Sequence, residues 1–432
     1  MGPEDVRLPD ELSERLARRA DALLGLGSLM EDEHSAEPGE REALAELAER
    51  LRNTYPYPDP HYAGQMLKPP TALAWAAYAT AMLLNPNNHA LDGGPATAEM
   101  EKEAVAQIAT LFGFERHLGH LTASGTIANL EALWVARELH PDKAIVSGEN
   151  AHYTHGRVSA VLGAKHETVA QDARGRIDLD ALADRLRGGG VGTVVATPGT
   201  TGLGAVDDVA AIADLCAQHG ARLHVDAAYG GFFRLLADGA KPGVARAPFE
   251  AIARADSVVV DPHKHGLQPY GCGCVVFADP GVGRLYAHDS PYTYFTSDAL
   301  HLGEISLECS RAGAAAAALW TTLRALPLTR EGLGQHLAAA RAAALELAAL
   351  VDADERTKLV VEPELDIVCV LPTTASGSAE RAFDTLAAAG WHVAKLRLTD
   401  GTSALRCCLL KREHTAVAPQ LAAALAEHLG PQ

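Results

Sequence analysis

The feature that most constrains this chain is an alternation of short apolar runs and helix-like segments between Gly119 and Phe277. Candidate strands fall at 144–147, 193–196, 223–225, 257–260 and 273–277, with helices between them at 178–186 and 206–219. The run Val258-Val259-Val260 is β-branched and unbroken, which reads as a strand buried on both faces. Such alternation predicts an α/β fold with a mainly parallel sheet covered by helices on both sides. Open sheets of this kind bind ligands at the carboxyl ends of their strands. The chemistry is therefore to be sought where the apolar runs stop.

One run stops at Asp261-Pro262, because proline has no N–H to give to the ladder. His263, Lys264 and His265 follow. A lysine just past a strand end is either a plain loop lysine or an amine that forms a Schiff base with pyridoxal 5′-phosphate (PLP). A second run, 222–226, ends at Asp226. A carboxylate there needs a cationic partner, or desolvation favours its neutral form. A structural salt bridge meets that need, and so does a pyridinium nitrogen. The small Ala227 and Ala228 let a flat ring approach. Residues 121–126 form a small-residue loop that leads into a helix-like stretch, 127–137. It is either a plain Ser/Thr cap or a phosphate site built from N–H groups and the Ser124 and Thr126 hydroxyls. His152, near the end of a further run, is either a satisfied polar residue or a face for a ring to stack on. Each feature alone is weak, and their conjunction points to PLP.

The order of Ser-Gly-Thr (124–126), Ala-His (151–152), Gly-Thr-Thr (199–201), His-Val-Asp-Ala-Ala-Tyr (224–229) and Asp-Pro-His-Lys (261–264) resembles the PLP-dependent group II amino-acid decarboxylases, the aromatic-amino-acid and tyrosine enzymes among them. The resemblance runs from residue 55 to residue 325 and continues more faintly to the end; Asn85 to Thr97 also looks like the family's N-terminal stretch. It implies a type I aminotransferase-like fold, a homodimer with its active site at the subunit interface, and removal of the α-carboxylate of an L-amino acid to give an amine and CO2. An aromatic substrate such as tyrosine is favoured. The same motifs are shared with sphingosine-phosphate-lyase-like relatives. Carbon–carbon cleavage, transamination and oxidative decarboxylation to an aldehyde are therefore the alternatives.

Carried over residue by residue, the resemblance makes Lys264 the Schiff-base lysine, Asp226 the partner of the pyridinium nitrogen and His152 the stacking ring. Gly125, Thr126 and His263 would hold the phosphate, with Ser124 close by. Thr201 would lie near the ring's 3-hydroxyl, and Ala228 would pack under the ring. Tyr292 and Tyr294 are both candidates to return a proton to Cα, with Tyr292 slightly favoured. His89, Asn88 and Arg406 are substrate-contact candidates. Asp261 departs from the asparagine common in relatives. An acid so near a phosphate-binding histidine would repel the phosphate unless it pointed away, so it is not counted as a ligand.

The 432 residues exceed one simple core. The division expected is an N-terminal helical segment (1–85) that wraps a neighbouring subunit, a large PLP-binding α/β domain (86–325) and a small C-terminal α+β domain (326–432). The net charge of −18 argues against nucleic acid and anionic membranes as partners. No apolar run approaches the ~20 residues that span a bilayer. The seven cysteines have no metal-ligand spacing and suit a reducing cytoplasm. No metal is expected.

Overall fold

The computed structural model describes residues 8–24, 37–91, 93–287, 306–374 and 376–430. The larger sheet contains β1 (Leu118–Thr122), β2 (Ala144–Gly148), β3 (His166–Val169), β4 (Val191–Ala196), β5 (Arg222–Asp226), β6 (Ser257–Val260) and β7 (Gly273–Phe277). Their spatial order is β1-β7-β6-β5-β4-β2-β3. Only β7 runs against its neighbours; the other pairings are parallel.

The helices are α1 (Asp10–Leu24), α2 (Pro38–Arg50), α3 (Ala72–Met82), α4 (Pro95–Leu111), α5 (Gly125–Leu139), α6 (Thr154–Leu162), α7 (Leu179–Arg187), α8 (Val209–His219), α9 (Arg246–Glu250), α10 (Gly313–Ala325), α11 (Gly334–Ala353), α12 (Ala379–Ala388) and α13 (His414–Leu429). α4, α7, α8 and α10 cover one side of the large sheet and α5 the other, so its central strands are buried on both faces. Val258 and Val260 join a core shared with α4, α7, α8 and α10. Val259, between them, faces the opposite way, into a core shared with α5. All three valines are fully buried. This is the period-2 alternation of a strand with two apolar sides.

A second, antiparallel sheet has the order β10-β11-β9-β8, from β8 (Thr357–Leu359), β9 (Ile367–Pro372), β10 (Ala394–Arg397) and β11 (Ser403–Cys408). Apolar residues of α11, α12 and α13 form the core on it. The chain before α3 is tied to this sheet: Ala63 N–H donates to His392 O at 2.7 Å, and Cys408 N–H donates to Ala63 O at 2.8 Å. No helix among the described residues is long and apolar enough to cross a membrane.

Candidate active site

Three strand ends converge. β1 passes through Ala123 and Ser124 into α5, β5 ends on Asp226, and β6 leads into the turn that carries Lys264. They open on one recess of about 180 Å³. Ser124, Gly125, Thr126, His152, Thr201, Asp226, Ala228, His263 and Lys264 all line it. The recess thus gathers every cofactor-binding residue expected from the sequence. It also contains Asn129, Thr197, Tyr229 and Asp261, which the sequence reading did not place there.

The entry to α5 is both a cap and an open N-terminus. Ser124, with extended backbone, accepts from Ile127 N–H at 3.3 Å through its hydroxyl. The N–H groups of Gly125 and Thr126 have no acceptor within the helix. A Cβ on Gly125 would lie 2.4 Å from Asp261 Oδ2, so any other residue there would have to displace that carboxylate. Asn129, one turn on, donates to Gly125 O at 2.8 Å. Its Oδ1 lies 2.9 Å from His224 Nε2. Burial lowers the His224 pKa to about 3, so that ring is neutral.

Asp226 Oδ2 lies 2.9 Å from His155 Nε2, and both side chains are almost wholly buried. Oδ1 accepts from Ala228 N–H at 3.2 Å. Burial alone would raise this carboxyl's pKa. The His155 ring 2.9 Å away, helped by Lys264, overcomes that and holds it below the usual carboxylate range. Asp226 is therefore a standing negative charge at the recess wall. His155 was missed in the sequence, although its spacing from His152 puts both rings at one end of α6.

Lys264 Nζ lies 3.0 Å from Asp261 Oδ2. Burial works against the ammonium, but Asp261 and Asp226 outweigh it and raise the lysine's pKa. Asp261 does not point away, contrary to the condition set for it above. It faces the lysine and the start of α5, and His263 Nε2 is 3.6 Å from it. The cause is the turn after β6, where Lys264 N–H donates to Asp261 O and brings the two side chains together. The other nitrogen of His263, Nδ1, lies 2.8 Å from Cys272 O. His152 Nδ1 lies 2.6 Å from Thr154 Oγ1.

All three substrate candidates lie outside the recess lining. His89 is half-buried and does not line it. Arg406 lines a neighbouring cavity of about 470 Å³ with Tyr55, Tyr62, Phe383 and His392. Its guanidinium donates to Thr201 O at 2.8 Å and to Gly64 O at 3.3 Å, so Thr201 separates the two spaces. Asn88 is committed to structure: it donates to Glu101 Oε2 at 2.6 Å, and Arg311 pairs with the same carboxylate. Tyr292 and Tyr294 lie outside the described residues.

The lining suits a phosphate-bearing pyridine aldehyde. It offers helix N–H groups and hydroxyls for the phosphate, a buried carboxylate for a ring cation and an amine for the aldehyde. Two buried oxygens that line it, Thr197 Oγ1 and Asp261 Oδ1, have no hydrogen-bond partner among the described residues, as expected of a site built for a ligand.

The comparisons agree with this reading. The pyridoxal-dependent decarboxylase conserved domain matches residues 57–371. An L-tyrosine decarboxylase of Enterococcus faecium is 32% identical, over 70% of this chain and 66% of that protein's length. A probable L-aspartate decarboxylase of Halobacterium salinarum is 34% identical, over 70% of this chain and 79% of that protein. Among solved structures, Oryza sativa TDC with PLP and tryptamine superimposes with a TM-score of 0.82 at 20% identity, covering 98% of this chain and 96% of that one. The fold is that of the PLP-dependent decarboxylases, α/β and type I aminotransferase-like. The chain belongs to the pyridoxal-dependent decarboxylase family. PLP is the cofactor of that family, and its members are amino-acid carboxy-lyases.

Proposed function

We propose that the protein removes the α-carboxylate of an L-amino acid to give an amine and CO2, with an aromatic substrate such as tyrosine favoured. The observation that carries this reading is the meeting of Lys264, Asp226 and the open start of α5 in one recess. PLP, when bound, supplies an electron sink for the charge left at Cα. The chain's residues do the rest. Gly125, Thr126 and His263, with Ser124, bind the phosphate. Asp226 would offer its negative charge to the ring nitrogen, and His155 holds that carboxylate in place. His152 and Ala228 would hold the two faces of the ring, and Thr201 would face its 3-hydroxyl. Lys264 Nζ gives up its proton to act as the nucleophile and carries a proton again when product leaves. Tyr292, outside the described residues, is the proposed proton donor to Cα.

The bond that breaks is chosen by how the pocket orients the substrate. Arg406 and the aromatic cavity beside Thr201 are the proposed substrate-facing wall, and His89 a contact from a second subunit. The aromatic lining and the similarity to a tyrosine decarboxylase support tyrosine; the similarity to aspartate decarboxylases supports aspartate as runner-up. A homodimer is proposed too. Exposed apolar residues such as Trp75 (47%), Leu84 (78%) and Val161 (76%) support it, since a second copy would cover them. A cytoplasmic location fits seven free cysteines, six of them buried.

The test is to incubate purified protein and PLP with single amino acids and measure CO2 and product. Amine with stoichiometric CO2 from tyrosine is expected. An aldehyde or keto acid as main product would overturn the reaction, and turnover of aspartate alone would overturn the substrate.

A further inference from the structure

Behind the turn that carries Lys264 lies a separate cavity of about 230 Å³. Its wall includes Lys68, His336, Lys411 and Arg412, with Glu413 the one acid among the described residues. That is an unusual concentration of positive charge in a chain of net charge −18. Leu267, three residues past Lys264, also lines it. Leu267 adopts a φ of 64°, a left-handed conformation rare for a branched side chain.

The two lysines are held but not neutralised. Lys68 Nζ donates to Leu410 O at 3.0 Å. Lys411 Nζ donates to Tyr62 O and lies 5.1 Å from the centre of the Tyr62 ring. An ammonium has three donors, and each of these spends one on a carbonyl. Among the described residues, neither lysine nor Arg412 has a carboxylate within ion-pair distance. Burial pushes both lysines down to about 8, against the opposing pull of Asp366 and Glu413 on Lys68 and of Asp59 and Glu413 on Lys411. A water takes roughly 30 Å³ of liquid volume, so the space admits a small oxyanion with its remaining waters. Convergent, partly spent donors of one sign are what such an anion binds to.

We infer that this cavity is a binding site for a small oxyanion, a carboxylate or phosphate group held by Lys68, Lys411 and Arg412. It lies apart from the recess described above, sharing none of its lining residues.

The test is isothermal titration of the full-length protein, saturated with PLP so that the cofactor's own phosphate site is filled. Inorganic phosphate and acetate are titrated in separate arms at constant ionic strength in chloride. Saturable one-site heat in either arm is expected, and the arm that binds more tightly identifies the group. Lys68→Met should weaken that binding at least tenfold. Arg412 is exposed, so Arg412→Gln keeps the fold and should weaken it as well, while Glu413→Gln should leave it equal or tighter. The absence of saturable heat in both arms, or wild-type affinity in both Lys68→Met and Arg412→Gln, overturns the inference.

Discussion

Asp261 Oδ2 lies 3.0 Å from Lys264 Nζ and faces the first residue of α5. The same carboxylate thus holds the nucleophile and points at the proposed phosphate cradle. Its charge favours the ammonium and opposes a bound dianion. Two like unit charges roughly 4 Å apart repel by about 4 kcal/mol at an effective dielectric near 20, and by less where solvent and salt reach an open recess. Asp261→Asn is expected to tighten PLP by about tenfold, read by fluorescence titration of the cofactor-free protein. It should also lower the pH at which Lys264 loses its proton. Unchanged or weaker cofactor affinity would show that the carboxylate serves the phosphate rather than repelling it.

Among the described residues, Lys264 is the only amine lining the recess. Lys264→Ala is expected to cut kcat at saturating PLP by about a thousandfold or more, since nucleophile and proton carrier are lost together. Borohydride followed by peptide mapping should label Lys264 in the wild type and nothing in the variant. Steady turnover above one per cent of wild type would count directly against the assignment.

Asp226 offers a test in pH. Its folded pKa is depressed below the ordinary 3.8. The stability it contributes is therefore complete above 3.8 and is lost as pH falls through the lower folded value. Acid unfolding curves should show the wild type losing stability more steeply below that point than Asp226→Asn. His155→Leu, which leaves the carboxylate buried without its closest partner, should cost about 3 kcal/mol in urea at neutral pH. Parallel acid limbs for wild type and Asp226→Asn would remove the argument that this carboxylate stands charged.

Much of this was legible in the residues, for definable reasons. The strands 257–260 and 273–277 were read with the boundaries observed, because apolar β-branched runs leave little choice. β1 was not read as a strand. It carries Gly119 and His120, and the glycine is there because a Cβ would lie 2.7 Å from Val275 O on the neighbouring strand. Only the packed sheet shows that need. β3 was missed as an edge strand with three of its four residues not fully buried. The recess residues were legible as motifs at strand ends. His155 and Asn129 were not, since both act on another residue, Asp226 and His224, and such contacts cross the sequence. For Asp261 the sequence shows the charge but not the turn that aims it at Lys264.

The last prediction concerns the join between the two sheets. Asp366, at the edge of β9, accepts from Tyr229 OH at 2.6 Å and lies 3.2 Å from His265 Nε2. All three are buried. Tyr229 lines the recess and His265 adjoins Lys264, so one acid of the smaller sheet grips both walls of the site. Burial would raise the Asp366 pKa, but His265, Tyr229 and Lys68 hold it below its usual value. Asp366→Ala leaves a phenol and an imidazole buried without a partner, at about 3 kcal/mol in urea unfolding. Tyr229→Phe removes one side of the same contact. If the three side chains act as one latch, the double variant should lose less than the two single losses combined, by about 1–2 kcal/mol. Strict additivity would mean that Tyr229 and Asp366 merely share a buried region, and the latch would fall with it.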